Sequence, residues 1–412
     1  MDVVVQRCAG LDVHQATVTA CVRLPGRTGE RTQVIQTFGT TTPDLLTLRD
    51  WLAAHQVTHV AMESTGVYWK PVYYALEDGC TLLLVNAAHM ANVPGRKTDV
   101  QDCVWIAQLL ECGLLRGSFV PPPAIRELRD LTRYRKALIQ DRTREANRLH
   151  KVLEDAGVKL ATVASDILGV SGRAMLTALV AGTTDPAVLA DLARGKLRKK
   201  LPALRQALTG RFRGHHAFLV TQLLAHLDYL DETIATLSDE IEGHLRPFAR
   251  EVGRVQTIPG VKQRTVENLV AEIGVDMTRF PTAGHLTSWA GVCPGNNESA
   301  GKRRRGRTRK GDRWLKITLI EAALAAIRVK GSALGARYRR IARHRGHKIA
   351  LVAVARAILE IVWHSLTHGT TYTELGSEYI DRRDKEQAAR RYVRLLENLG
   401  HRVTLEPAPI AA

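Results

Sequence analysis

Four acidic residues stand where a metal ion could use them. Asp12 closes a strand-like run in AGLDVHQ, and Glu63 closes another in VAMESTG. Asp99 and Asp102 stand three apart in KTDVQD, at the start of a helical run. Residues three apart on a helix project from one face. Carboxylates from two strand ends and a neighbouring helix can meet at one edge of a sheet. Hard oxygen ligands of this kind suit Mg2+, which keeps waters and takes a phosphate oxygen as a further ligand. Two such ions activate a nucleophile and stabilise the leaving oxygen of a phosphodiester. Each acid alone also has an ordinary reading. Asp99 would favour a helix N-terminus, Asp102 would be a solvated surface acid, and Glu63 would face water at a strand end. Asp12, amid apolar neighbours, is costly to bury without a partner. As an ordered set the four point to a Mg2+ site.

The second feature is basic. Residues 302–316 hold nine Lys or Arg against the single Asp312. Lys302, Arg303, Arg304, Arg305, Arg307, Arg309, Lys310 and Arg313 are candidate nucleic-acid contacts. The interspersed Gly301, Gly306 and Gly311 suit a strand lying along a DNA or RNA backbone. A charge run is also the usual look of a solvated face. Upstream, Ile258-Pro-Gly-Val261 before a helical run resembles a helix-hairpin-helix turn. Its first helical amides, at Gly260, would face a phosphate; an ordinary Pro-Gly turn between helices is the other reading.

These residues need elements to position them. Strand-like runs at 3–13, 16–24, 33–39, 59–63 and 81–85 alternate with helical runs at 44–56, 68–77 and 98–114, which predicts a mixed sheet flanked by helices. The prolines at 121–123 mark a boundary. Long helices are expected at 124–157 and 218–245, with shorter ones between and the basic run RGKLRKK at 194–200. In the second long helix, Leu223, Leu227, Leu230, Ile234, Leu237 and Ile241 alternate in steps of three and four. That is a coiled-coil seam, able to join two subunits or to pack on the 124–157 helix of its own chain. Helices are expected again at 313–329, 334–343, 347–367 and 384–399. The resulting fold class is α/β plus α, divided as 1–118, a helical connector 119–250, a mostly helical domain 251–375 and a charged tail 376–412.

Composition sets the partner class. The 412 residues carry a formal charge of +18, and 45% are hydrophobic, enough for folded cores. Such an excess argues for a polyanionic partner, most commonly nucleic acid. Aromatics are 5%, which gives little support to broad base stacking, and no DNA-recognition helix stands out. The six cysteines lack metal or disulfide spacing and read as thiols of a reducing cytoplasm. No signal peptide, P-loop or GxGxxG is apparent. The best membrane candidate, 349–363, contains Arg356 and Glu360, so no membrane role is expected.

The ordered acids in GLDVH, MESTG and KTDVQDCVWIAQLL, followed by IPGVKQRTVENLVAEIG and FPTAGHLTSWAGVCPGNNESAGKRRRGRTRKGDRWLK, resemble the DEDD transposases of bacterial insertion sequences. This is the "one-ten" family, which includes pilin-gene-inverting recombinases. The resemblance spans roughly 5–110 and 253–330. It implies an RNase H-like (RuvC-like) N-terminal domain holding Mg2+ through Asp12, Glu63, Asp99 and Asp102. It also implies a serine nucleophile in the C-terminal domain, which falls on Ser299. Family members commonly have Ser directly followed by Gly; here the order is Ser299-Ala300-Gly301. The family is further associated with a structured non-coding bridge RNA that pairs with donor and target DNA. The expectation is a cytoplasmic, nucleoid-associated enzyme, working as a dimer that pairs into a tetramer on DNA. Two alternatives are a RuvC-like nuclease that cuts branched DNA without a covalent step, and a non-catalytic nucleic-acid-binding scaffold.

Overall fold

The structure, a computed structural model, describes residues 3–26, 30–64, 66–86, 102–295, 298–299, 301–303, 308 and 310–405. The chain divides into two compact units, Met1–Val120 and Pro121–Ala412.

The first unit contains β1 (Cys8–Val13), β2 (Thr17–Pro25), β3 (Arg31–Gly39), α1 (Thr42–Ala54), β4 (His59–Glu63), α2 (Trp69–Leu76), β5 (Thr81–Val85) and α3 (Asp102–Glu111). The strands form one mixed sheet in the order β3-β2-β1-β4-β5. β1, β2 and β3 pair antiparallel, whereas β1, β4 and β5 pair parallel. The period-two alternation of strands sorts β1 between two layers. Ala9, Leu11 and Val13, with Val60 and Met62 of β4, bury against Leu45, Leu48 and Leu52 of α1 and Val72 and Leu76 of α2. Cys8 of β1 and Ala61 of β4 face the other way, toward Ile106, Leu109 and Leu110 of α3.

On that second face, small side chains let the helix approach closely. A Cβ at Gly10 would lie 2.2 Å from the Cys103 carbonyl oxygen and 2.4 Å from the Ala107 nitrogen. Backbone therefore lies against backbone where β1 meets α3. The far end of α3 is fastened by Glu111, whose buried carboxylate pairs with Arg23 at 2.5 Å and with Arg31. Its carbonyl accepts the Val4 and Val5 amides. Those two bonds explain why the first strand starts at Cys8 and not at Val3 as its apolar run predicts.

The second unit begins with α4 (Pro123–Asp155), which pairs with α9 (Gly214–Leu245). Contacts of Arg142 with Asp231 and of Asp155 with His216 make the pair antiparallel. The α9 seam is occupied inside this hairpin. Leu230 and Ile234 bury with Leu138 of α4, and Leu237 packs beside them. Leu227 joins a core, with Leu223 against it, formed with Leu149, Leu153 and the short helices α5 (Leu160–Val163), α6 (Val170–Val180), α7 (Pro186–Asp191) and α8 (Leu201–Leu208). Ile241 is fully buried as well. Of the two packings that the spacing allows, the chain adopts the one with its own helix.

The rest of the second unit comprises α10 (Ala249–Gln256), α11 (Gln263–Ile273), α12 (Ala283–Trp289), a small hairpin of β6 (Glu298–Ser299) and β7 (Lys302–Arg303), then α13 (Arg313–Ala326), α14 (Ala333–Arg345), α15 (His347–His368) and α16 (Glu378–Asn398). α15 is long and apolar enough to cross a bilayer by composition, yet half of its most apolar stretch is buried within this unit. Gly260 is a point of close packing. It adopts φ +83, and a Cβ there would lie 2.2 Å from the Ala322 carbonyl oxygen of α13. The turn seats α13 backbone-to-backbone, which gives its glycine a packing role.

Candidate active site

The register of the sheet brings two of the four acids together. β1 and β4 run parallel, with Leu11 opposite Met62. The next residue on each strand is the acid, Asp12 on β1 and Glu63 on β4. Gly10 faces α3, and Asp12 lies two residues further on, so alternation gives it the same face; Ala61 and Glu63 are related in the same way. Asp102 is the first residue of α3 and immediately precedes Cys103, whose carbonyl rests on Gly10. The electrostatics agree with this convergence. Burial pushes the Cys103 thiol above its ordinary range, and negative charge on Asp12 and on Asp102 adds to the push. One sulfur thus senses both carboxylates. Asp99 lies outside the described residues.

Asp12 itself is partly open, with 21% of its side chain exposed, and His14 Nε2 lies 3.1 Å from its Oδ2. The His14 ring is the partner that a semi-buried acid at this position requires. Nothing but its place two residues along in GLDVH hinted at that contact.

The basic stretch is an excursion closed at its base. Glu298 pairs with Arg303 and Ser299 with Lys302 across the β6–β7 hairpin. Gly301 takes φ +75 at the turn, a left-handed conformation that glycine adopts without steric cost. For Ser299, Lys302 and Arg303 the description covers the backbone, and Arg304, Arg305, Arg307 and Arg309 lie outside the described residues. A bridge between Pro294 and Thr308 draws the two arms together. Below it, a Cβ on Gly311 would lie 2.5 Å from the Ala290 carbonyl carbon. Lys310 and Arg313 are exposed.

Asp312 fixes the exit of this excursion. Its Oδ1 accepts the Leu315 amide at 2.7 Å, capping α13. Its Oδ2 takes a contact from Arg133 of α4 at 3.2 Å. Arg133 also donates two bonds of 2.8 Å to the two carboxylate oxygens of Glu272 on α11, and Arg129 reaches the same carboxylate at 3.2 Å. Glu272 is 2% exposed. Burial pushes its carboxyl upward while Arg133 and Arg129 oppose that push. One buried ionic cluster thus joins α4, α11 and the start of α13.

Comparison with known proteins identifies the lineage. Residues 9–157 match the DEDD transposase model of IS110 elements, and residues 252–339 match the transposase model of the IS116/IS110/IS902 family. Together the two matches cover more than half of the chain. The chain belongs to the IS110 family of transposases. Among its relatives is the 43.6 kDa protein of insertion element IS110 from Streptomyces coelicolor, 27% identical over 80% of this chain and 87% of that protein. A probable family 20 transposase of Pseudomonas aeruginosa is 26% identical over 79% of this chain and 88% of its own length. The transposase of insertion sequence IS1111A from Coxiella burnetii is 26% identical, covering 78% of this chain and 81% of its own.

Another cluster in this IS110-family chain has metal-ligand types. Asp155, His215 and His216 gather at the tip of the α4–α9 pair. His216 Nδ1, however, accepts the Arg213 amide at 3.1 Å. Its Nε2 therefore carries the proton and donates to Asp155 Oδ2 at 3.0 Å. With both ring nitrogens engaged, His216 caps α9 and offers an ion no lone pair.

Proposed function

We propose that this IS110-family transposase cuts and rejoins DNA through a serine nucleophile, Ser299, assisted by Mg2+ at Asp12, Glu63, Asp99 and Asp102. The observation that carries the reading is the register of β1 and β4. It makes Asp12 and Glu63 neighbours at the same strand ends, on the face where α3 begins with Asp102. An all-oxygen, carboxylate-rich donor set fits Mg2+. The strand order β3-β2-β1-β4-β5, antiparallel through its first three strands and parallel after them, supports the RNase H-like, RuvC-like reading of this unit.

When bound, Mg2+ supplies charge stabilisation at the crowded phosphorus and helps the leaving oxygen. The chain supplies the rest. The Ser299 hydroxyl oxygen bonds to phosphorus as the ester bond to one strand end breaks. This leaves a phosphoserine linkage and a strand-end hydroxyl, which takes up the proton that serine releases. A hydroxyl of another strand reverses the step and rejoins, so phosphodiester energy is conserved. Lys302 and Arg303, opposite Ser299 and Glu298 in the hairpin, are suited to hold the flanking phosphates. The choice of DNA sequence is assigned to pairing with a structured bridge RNA, by analogy with other guided systems.

The test is a covalent protein–DNA adduct trapped with a labelled substrate in Mg2+. The adduct should form with the unaltered chain, and both Ser299→Ala and Asp12→Asn should abolish it. Cleavage that persists in Ser299→Ala would favour a metal-dependent nuclease with no covalent step. Activity indifferent to Asp12→Asn and to chelation would favour a binding scaffold.

A further inference from the structure

Between Glu321 and Glu360 the chain contains nine Lys or Arg and no acid. A run of like charge is ordinarily a solvated face, so the question is whether the rest of the fold compensates it. On α4 the cations are compensated. Arg129 and Arg133 pair with Glu272, Arg135 with Glu267, and Arg142 with Asp231. The corner between α14 and α15 differs. Arg339, Arg343, Arg345 and Lys348 are exposed there, and none of the four has an ion pair among the described residues.

Helix electrostatics account for only part of this. Cations near the end of α14 are favoured by the helix dipole, which suits Arg343 and Arg345. Lys348 stands in the first turn of α15, where the dipole disfavours a cation. Arg339 and Arg343 stand four apart on one helix face, a like-charge arrangement that weakens a helix. Among the described residues this concentration of positive charge has no compensating acid, and a polyanion would relieve it.

The corner is also held in shape. Ser332–Gly335 at the start of α14 are buried, and the Ser332 hydroxyl caps that end by accepting the Gly335 amide at 3.0 Å. Tyr338 Oη and His347 Nδ1 are 2.7 Å apart, tying α14 to α15 across Gly346. The two rings that join the helices here, Tyr338 and His347, stand edge to face with centroids 5.8 Å apart and are engaged with each other, which leaves the cations as the recognition groups. A fixed array of cations suits the phosphate backbone of a duplex.

We propose that the α14–α15 corner is a second nucleic-acid surface, distinct from the β6–β7 excursion, that grips the phosphates of duplex DNA without reading its sequence. Arginines at this corner would make forked bonds to phosphate oxygens, with Lys348 adding a point charge. DNA is the partner because transposition acts on it. The proposal rests on the reading of the chain as a DNA recombinase, and its test separates the two.

Full-length protein is titrated into a fluorescent duplex of arbitrary sequence at salt concentrations from about 50 to about 200 mM. The variant carries Arg339→Gln, Arg343→Gln, Arg345→Gln and Lys348→Gln together. Each lost phosphate contact removes about 0.9 from the slope of log affinity against log salt. The variant should therefore lose roughly 3 to 4 units of slope, and should bind at least about tenfold more weakly at the lowest salt. An unchanged slope overturns the second surface and leaves the recombinase reading intact. A loss confined to structured RNA overturns the assignment to DNA. A salt-insensitive unaltered chain would count against DNA binding as a whole. The unaltered protein provides a measurement independent of how the variant folds: duplex DNA should shield Lys348 from an amine-reactive label, and full labelling of Lys348 in the complex overturns the proposal.

Discussion

Cys8 and Cys21 line the face on which α3 rests, and their environment bears on how pH affects the first unit. Burial raises the Cys8 thiol from 9.0 to about 11, with the Glu111 charge adding to the shift. Burial likewise raises Cys21 to about 12, reinforced by Cys103. A group whose folded pKa exceeds its unfolded one stabilises the fold fully below the unfolded value. It loses that contribution as pH rises through the folded value. Cys8 should therefore cost nothing below pH 9.0, and between 9.0 and about 11 it should remove on the order of 2 kcal/mol. Denaturant melts of the unaltered chain and of Cys8→Ala across this range check the expectation. The variant is less stable at neutral pH because it leaves a small cavity, so the informative quantity is its shallower alkaline decline. Parallel curves would mean that the thiol does not titrate between the two states.

At the scale of elements, the sequence pattern reaches as far as local rules do. β4 and β5 fall at 59–63 and 81–85 as their apolar runs predict, and the last of the prolines at 121–123 opens α4 at Pro123. The acids at strand ends were legible for the same reason. The closeness of α3 to β1 was not, because a lone glycine in a strand does not say which helix will lie on it. Nor was the Arg133–Glu272 pair, whose members stand 139 residues apart. The α9 seam shows a third limit: heptad spacing specifies a partner helix without saying whose. A prediction follows from the ionic cluster. Arg133→Ala removes both hydrogen bonds to a carboxylate that is 2% exposed. Breaking a buried pair from one side costs about 3–5 kcal/mol, and Arg129 remains to hold the loss near the lower figure. A drop under about 1 kcal/mol, the value of an exposed pair, would mean that the cluster does not anchor α13. Arg133→Lys should recover part of the loss, since it restores charge without the fork.

For the whole molecule, the proposed serine mechanism carries an expected stoichiometry. Joining two duplexes in new combinations handles four strand ends, and the chain has one candidate serine between Trp289 and Trp314. Under the proposed mechanism, with one serine nucleophile per strand, we expect four copies on the complete nucleic-acid substrate, as a dimer that pairs into a tetramer. Leu230, Ile234 and Ile241 of the α9 seam are buried within their own chain, so we expect the copies to meet through other surfaces. Subunits joined through that seam would have to open the hairpin, exposing its core and losing the Arg142–Asp231 pair. Ile234→Ala should therefore lower the stability of the isolated chain by about 2–5 kcal/mol, as for other large-to-small core changes, and leave the subunit count on DNA unchanged. Light scattering of the complex, set beside a denaturant melt of the free protein, reads both quantities. If the variant melts normally while the assembly falls apart, the seam serves the interface, and the packing of α9 on α4 would not be the arrangement adopted on DNA.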